Sequence, residues 1–138
     1  MPSLNPYISF QDQARAAMEF YQGVFGGELR VDTFEAFPDM VQDPADRSRV
    51  MHAQLETPDG FVLMAADTPS GMPYVRPAGV AVSVSGDDEA ALQEYWDKLS
   101  DGGSITMPFE IPPWGGRFGM LTDRFGIDWM VALNAPPE

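Results

Sequence analysis

An internal duplication constrains this chain more than any other feature. Thr57-Pro58-Asp59-Gly60-Phe61-Val62-Leu63-Met64 and Asp123-Arg124-Phe125-Gly126-Ile127-Asp128-Trp129-Met130 each read as a turn ending in glycine, followed by a strand. Gly60 and Gly126 stand 66 positions apart, and so do Met64 and Met130. The front halves align at other offsets, Phe20-Tyr21 with Tyr95-Trp96 at 75 and Pro6 with Val80 at 74. The drop to 66 places about eight extra residues in the first half, most simply in the loop Pro38–Ser48. Two long repeats point to a pseudo-symmetric pair of modules rather than a solenoid of many short ones.

The elements follow the same order twice. A short extended run over Asn5–Phe10 precedes a helix that Asp12 is placed to cap. Ala14, Ala17, Met18, Tyr21, Val24 and Phe25 share one face of that helix, and Gly26-Gly27 ends it. Strands are predicted over Glu28–Phe37, Val50–Glu56 and Phe61–Ala66. In the second half a strand over Val80–Val84 leads to the acids Asp87-Asp88-Glu89, which suit a helix N-terminus. Ala91, Leu92, Tyr95 and Leu99 are the expected buried face. Strands over Ser104–Glu110, Arg117–Leu121 and Ile127–Leu133 complete the half. The expected fold is α+β. Two βαβββ modules join into one strongly curved mixed sheet around a cavity, with helices outside. The chain reads as a single domain, with module one about 4–66, a linker about 67–78 and module two about 79–134.

Composition limits the function classes. The 138 residues carry 21 acids, 8 bases and no cysteine, a formal charge of −13 divided between both halves. Such a surface repels phosphate backbones and disfavours nucleic acid as a partner. Thiolate catalysis and disulfides are excluded. No apolar run approaches the roughly 18 residues needed to span a bilayer. No basic segment followed by an apolar one opens the chain, so the expectation is a cytoplasmic protein with no membrane association.

A family resemblance rests on several segments together: Asn5-Pro6-Tyr7-Ile8-Ser9-Phe10, Ala17-Met18-Glu19-Phe20-Tyr21, Val24-Phe25-Gly26-Gly27, Val50-Met51-His52-Ala53, Met107-Pro108, Trp114-Gly115, Phe118-Gly119-Met120 and Asp123 through Trp129. The chain resembles the vicinal oxygen chelate superfamily of glyoxalases, bleomycin-resistance proteins and ring-cleaving dioxygenases, and within it the PhnB-like branch. The resemblance covers about residues 4 to 133. It implies paired βαβββ modules, a ligand cavity and a homodimer. The methyltransferase label often attached to this branch has no support here, because no glycine-rich loop follows a strand to hold S-adenosylmethionine.

Metalloenzymes of the superfamily take ligands from the first and last strands of each module. Carried over through the repeat, those positions are Pro6, Met64, Val80 and Met130, with Tyr7 and Gly79 as neighbours in an adjacent register. Proline and valine offer no donor, and thioether is too soft for Mg²⁺, Mn²⁺ or Zn²⁺. The chain has one histidine. The expectation is therefore no metal and no other cofactor.

The remaining candidates come from strand alternation. His52 and Gln54 fall on the face opposite Met51, Ala53 and Leu55, and histidine is the acid or base most readily used near neutral pH. Asp128 shares parity with Met130, and Arg117 is a candidate partner for its carboxylate. Trp114, between Pro112-Pro113 and Gly115-Gly116, sits on a loop able to cover a ligand. The candidate cavity set is thus Tyr7, His52, Gln54, Met64, Trp114, Arg117, Asp128 and Met130. The leading reading is a metal-free binder of a small organic molecule, of uncharacterised role and with no reaction assigned. The alternative is a metal-dependent lyase or dioxygenase with relocated ligands such as His52 and Glu56.

Overall fold

The computed structural model describes residues 2–134. The chain forms two compact units, the first ending at Arg76 and the second beginning at Pro77. Each unit is a βαβββ module with its own four-stranded mixed sheet, and the fold is α+β.

In the first unit the elements are β1 (Tyr7–Phe10), α1 (Ala14–Phe25), β2 (Glu28–Thr33), β3 (Val50–Glu56) and β4 (Val62–Asp67). The sheet order is β1-β4-β3-β2, with β1 parallel to β4 and the other pairs antiparallel. All six apolar residues predicted for one helix face are buried. They pack on Ile8, Phe10, Ala53, Leu55, Leu63 and Ala65, the alternate residues of β1, β3 and β4. The strand predicted to reach Phe37 stops at Thr33, where the register with β3 shifts and three 3-10 turns carry the chain to Ser48.

The cap of α1 is not Asp12. That residue takes a left-handed φ of 66°, and Gln13 occupies the cap position without a side-chain bond. Ala14 N instead donates to Asp67 Oδ1 at 2.9 Å, while Val50 N donates to Oδ2 at 2.9 Å. One buried carboxylate at the end of β4 thus ties the helix start to the start of β3. Cap chemistry needs an acceptor in place, whatever its distance along the chain.

The second unit repeats the plan with β5 (Val82–Gly86), α2 (Glu89–Ser100), β6 (Ser104–Glu110), β7 (Arg117–Thr122) and β8 (Asp128–Leu133), in sheet order β5-β8-β7-β6. Asp88 caps α2 through Ala91 N at 3.1 Å. The buried residues of α2 are Leu92, Trp96 and Leu99, whereas Ala91 and Tyr95 are half-exposed. The helix turns toward Trp96 because Gly119 leaves space for the indole: a Cβ at Gly119 would lie 2.7 Å from Trp96 Cη2. Trp96 also stacks on Phe109, with ring centroids 5.4 Å apart.

The two turns that define the duplication are alike in their bonds. Thr57 N donates to Phe61 O at 3.0 Å and Asp123 N to Ile127 O at 2.8 Å. Phe61 N donates to Thr57 Oγ1 at 2.9 Å and Ile127 N to Asp123 Oδ1 at 3.1 Å. Asp123 does more than Thr57, since its Oδ2 also accepts from Trp129 Nε1 at 2.9 Å. The first strands match differently from the expected Pro6–Val80 pairing. Tyr7 opposes Met64 and Ser83 opposes Met130, so their offset is 76 and the first unit's β2–β3 connection holds about ten more residues than its counterpart, rather than eight.

Candidate functional site

Each sheet presses one face on its helix and turns the other away. On the free face of the first sheet, Tyr7, Met64, Gln54 and Arg30 form one cross-strand row. His52, two residues along β3 from Gln54, opposes Asp32 on β2. The Tyr7 hydroxyl lies 3.3 Å from His52 Nδ1, and the two rings are 5.7 Å apart. Partial burial pushes the Tyr7 phenol above its ordinary value of 10.0, so at neutral pH it is a neutral hydroxyl able to donate or accept. Gln54 Nε2 donates to Glu56 Oε1 at 3.0 Å. Sequence parity thus brings Tyr7, His52, Gln54 and Met64 to one face, and adds Asp32, which was not singled out. Its signal was available only through the β2–β3 register.

On the free face of the second sheet, Asp128 opposes Thr122 and Met130 opposes Met120. Thr122 Oγ1 donates to Asp128 Oδ1 at 2.7 Å. Asp128 is therefore served by a hydroxyl and not by Arg117. The Arg117 side chain runs to the other side of the sheet. Its guanidinium lies 4.0 Å from the centre of the Phe109 ring, donates to Phe109 O at 2.8 Å and pairs with Glu89 Oε1 at 3.3 Å. Strand parity accounts for this: the turn pairs Thr122 with Asp128, so even-numbered residues of β7 share a face with Asp128 and odd-numbered Arg117 does not. Trp114 is 72% exposed, with its ring 6.3 Å from Phe118 of the same free face.

Neither strand pair offers a seat for a divalent ion. Tyr7 with Met64 and Ser83 with Met130 give a phenol, a hydroxyl and two thioethers, which do not fit a hard or borderline cation. His52 and Glu56 also fail to converge. They stand four positions apart on one strand, roughly 13 Å along the chain, with their polar atoms turned to Tyr7 and Gln54. Among the described residues no group of three or more His, Asp or Glu side chains is arranged to hold a metal ion. No helix among them is long and apolar enough to cross a membrane.

Residues 3–131 match the profile of the Glyoxalase/Bleomycin resistance protein/Dioxygenase superfamily. The chain is 27% identical to protein YjdN of Escherichia coli (strain K12), over 93% of this chain and 92% of that one. It is similar to the crystal structure of protein PA1353 from Pseudomonas aeruginosa, with a TM-score of 0.83 and 32% identity over 99% of this chain and 100% of the other. The PhnB protein from Bacillus cereus shares the fold, with a TM-score of 0.77 at 22% identity over 96% of this chain and 100% of that one.

Proposed function

The chain belongs to the Glyoxalase/Bleomycin resistance protein/Dioxygenase superfamily, and we propose that within it this protein binds a small organic molecule without a divalent metal. The observation that carries the reading is the Tyr7–His52 contact on a sheet face floored by Met64 and Ala66. A hydroxyl and an imidazole beside an adaptable thioether, on a face that also carries Gln54, Arg30 and Asp32, suit an organic ligand with polar groups and a small apolar part. His52 and Tyr7 orient that group, Met64 shapes itself to the apolar part, and Gln54 offers an amide at the edge. On its own sheet face the second unit contributes Asp128 and Met130 as further candidates, with Trp114 beside them. In this reading the protein works in the cytoplasm as a homodimer, and neither nucleic acid nor membrane is a partner.

Thermal-shift screening of the full chain against organic amines, quinones and aldehydes tests the reading. A class of compounds should stabilise the protein, and Tyr7→Phe and His52→Ala should each reduce that stabilisation. Absence of stabilisation by every class, or stabilisation untouched by both substitutions, would overturn it. Stoichiometric Zn, Ni, Mn or Fe in protein purified without added metal would overturn the metal-free part.

A further inference from the structure

Two neighbouring strands of the second sheet carry a graded strip on the face away from α2. On β7 it reads Thr122, Met120, Phe118, and on β8 Asp128 opposes Thr122 while Met130 opposes Met120. These side chains are half-buried, whereas the residues between them, Gly119, Leu121 and Trp129, are buried. The strip is polar and anionic at its Thr122–Asp128 end. It is aromatic at the other, where the Trp114 ring lies 6.3 Å from Phe118. Four residues of strand separate Thr122 from Phe118, roughly 13 Å, and the two thioethers lie between the ends.

Charge decides what such a strip fits. The second unit has three basic side chains among its described residues, and each is engaged elsewhere: Lys98 with Glu94, Arg117 with Glu89 and Arg124 with Asp101. None of these pairs includes Asp128, whose Oδ1 accepts a hydroxyl bond from Thr122 at 2.7 Å. A half-buried carboxylate held by a hydroxyl gains most from a cation that a ligand brings. An anion would meet repulsion there, and a neutral alcohol would gain less. Phe118 and Trp114 offer aromatic surface to an apolar body, and Met120 and Met130 adapt to the stem between. We propose that the strip takes an elongated organic cation. Its ammonium group sits on Asp128, and its apolar or aromatic body runs over Met120 and Met130 to Phe118 and Trp114. The proposal rests on the reading that the protein binds a small organic molecule, and it assigns the class of that molecule.

Isothermal titration calorimetry of the full chain with phenylhexylamine, phenylhexanol and phenylhexanoate tests it, since the three share one body and differ in charge. The amine should bind roughly tenfold more tightly than the alcohol, and phenylhexanoate should not bind. Asp128→Asn keeps the size and an acceptor for Thr122. It should bring the amine down to the level of the alcohol, whose own affinity stays unchanged. Trp114→Ala should weaken phenylhexylamine by roughly fivefold and leave benzylamine, too short to reach the aromatic end, unaffected. Alcohol or phenylhexanoate binding as tight as that of the amine would overturn the proposal, and so would binding of none of the three. An amine preference that survives Asp128→Asn would overturn it as diffuse attraction to an acidic chain, and phenylhexylamine binding untouched by Trp114→Ala would remove the aromatic end. In each of these cases, stabilisation by another class of compound in the thermal-shift screen would leave the broader reading standing, whereas failure of every class there removes both.

Discussion

The Tyr7 hydroxyl and His52 Nδ1 stand 3.3 Å apart although β4 runs between their strands. The contact is diagonal. Tyr7 faces Met64 directly, Met64 faces Gln54, and His52 lies two residues further along β3. It therefore depends on the registers of two strand pairs at once, and a slip of one residue in either would send one partner to the helix side.

Removing the hydroxyl isolates that bond. Tyr7→Phe keeps the ring and loses one hydrogen bond, worth about 1 kcal/mol, or roughly fivefold in the affinity of any ligand oriented by the pair. NMR of the single histidine should show its ring resonances move in the variant. Unchanged resonances would show that the two groups do not interact in solution.

Tyr7 also gives a pH signature. Burial raises the folded phenol above its ordinary value of 10.0, so the unfolded phenol ionises first as pH rises. The contribution is fully present below about pH 10 and is lost as pH climbs through the folded value. Urea unfolding should show wild type losing stability faster than Tyr7→Phe above about pH 10. Parallel curves for the two proteins would contradict this.

Asp67 joins α1 to the sheet through two buried N–H groups, those of Ala14 and Val50. Asp67→Ala leaves both donors unpaired and should cost about 2–4 kcal/mol. Asp67→Asn keeps one acceptor and sets an NH₂ against the other donor, so it should recover only part of the loss. The shift in urea midpoint at constant slope measures both. A loss under about 0.5 kcal/mol for Asp67→Ala would mean that water replaces the carboxylate.

Gly119 makes room for Trp96. An added Cβ would meet the indole at 2.7 Å and Phe109 Cα at 2.8 Å, so Gly119→Ala should destabilise by about 1–3 kcal/mol through overpacking. A neutral result in thermal unfolding would show that α2 shifts freely on its sheet.

Trp114 differs from the other two tryptophans in being 72% exposed, against 5% for Trp96 and 1% for Trp129. Trp114→Ala should change stability by less than about 0.5 kcal/mol while removing the emission that acrylamide quenches. Quenching that survives the substitution would place another tryptophan in solvent.

Local chemistry was legible without coordinates. The helical spacing from Ala14 to Phe25 named all six buried residues of α1, and the glycine-ended turns before Val62 and Asp128 marked the two hairpins and the repeat. Alternation put His52 and Gln54 on one face and Asp128 with Met130 on another. These patterns follow from backbone geometry, which repeats every two or 3.6 residues whatever the rest of the chain does. Only the tertiary structure supplied the partners. It capped α1 with Asp67 instead of Asp12, gave Asp128 to Thr122 instead of Arg117, set Tyr7 against His52, and aligned three methionines separated by 13 and 10 positions in the chain. Such pairings arise from strand register and helix placement, which the packing of whole faces decides and no window of sequence contains.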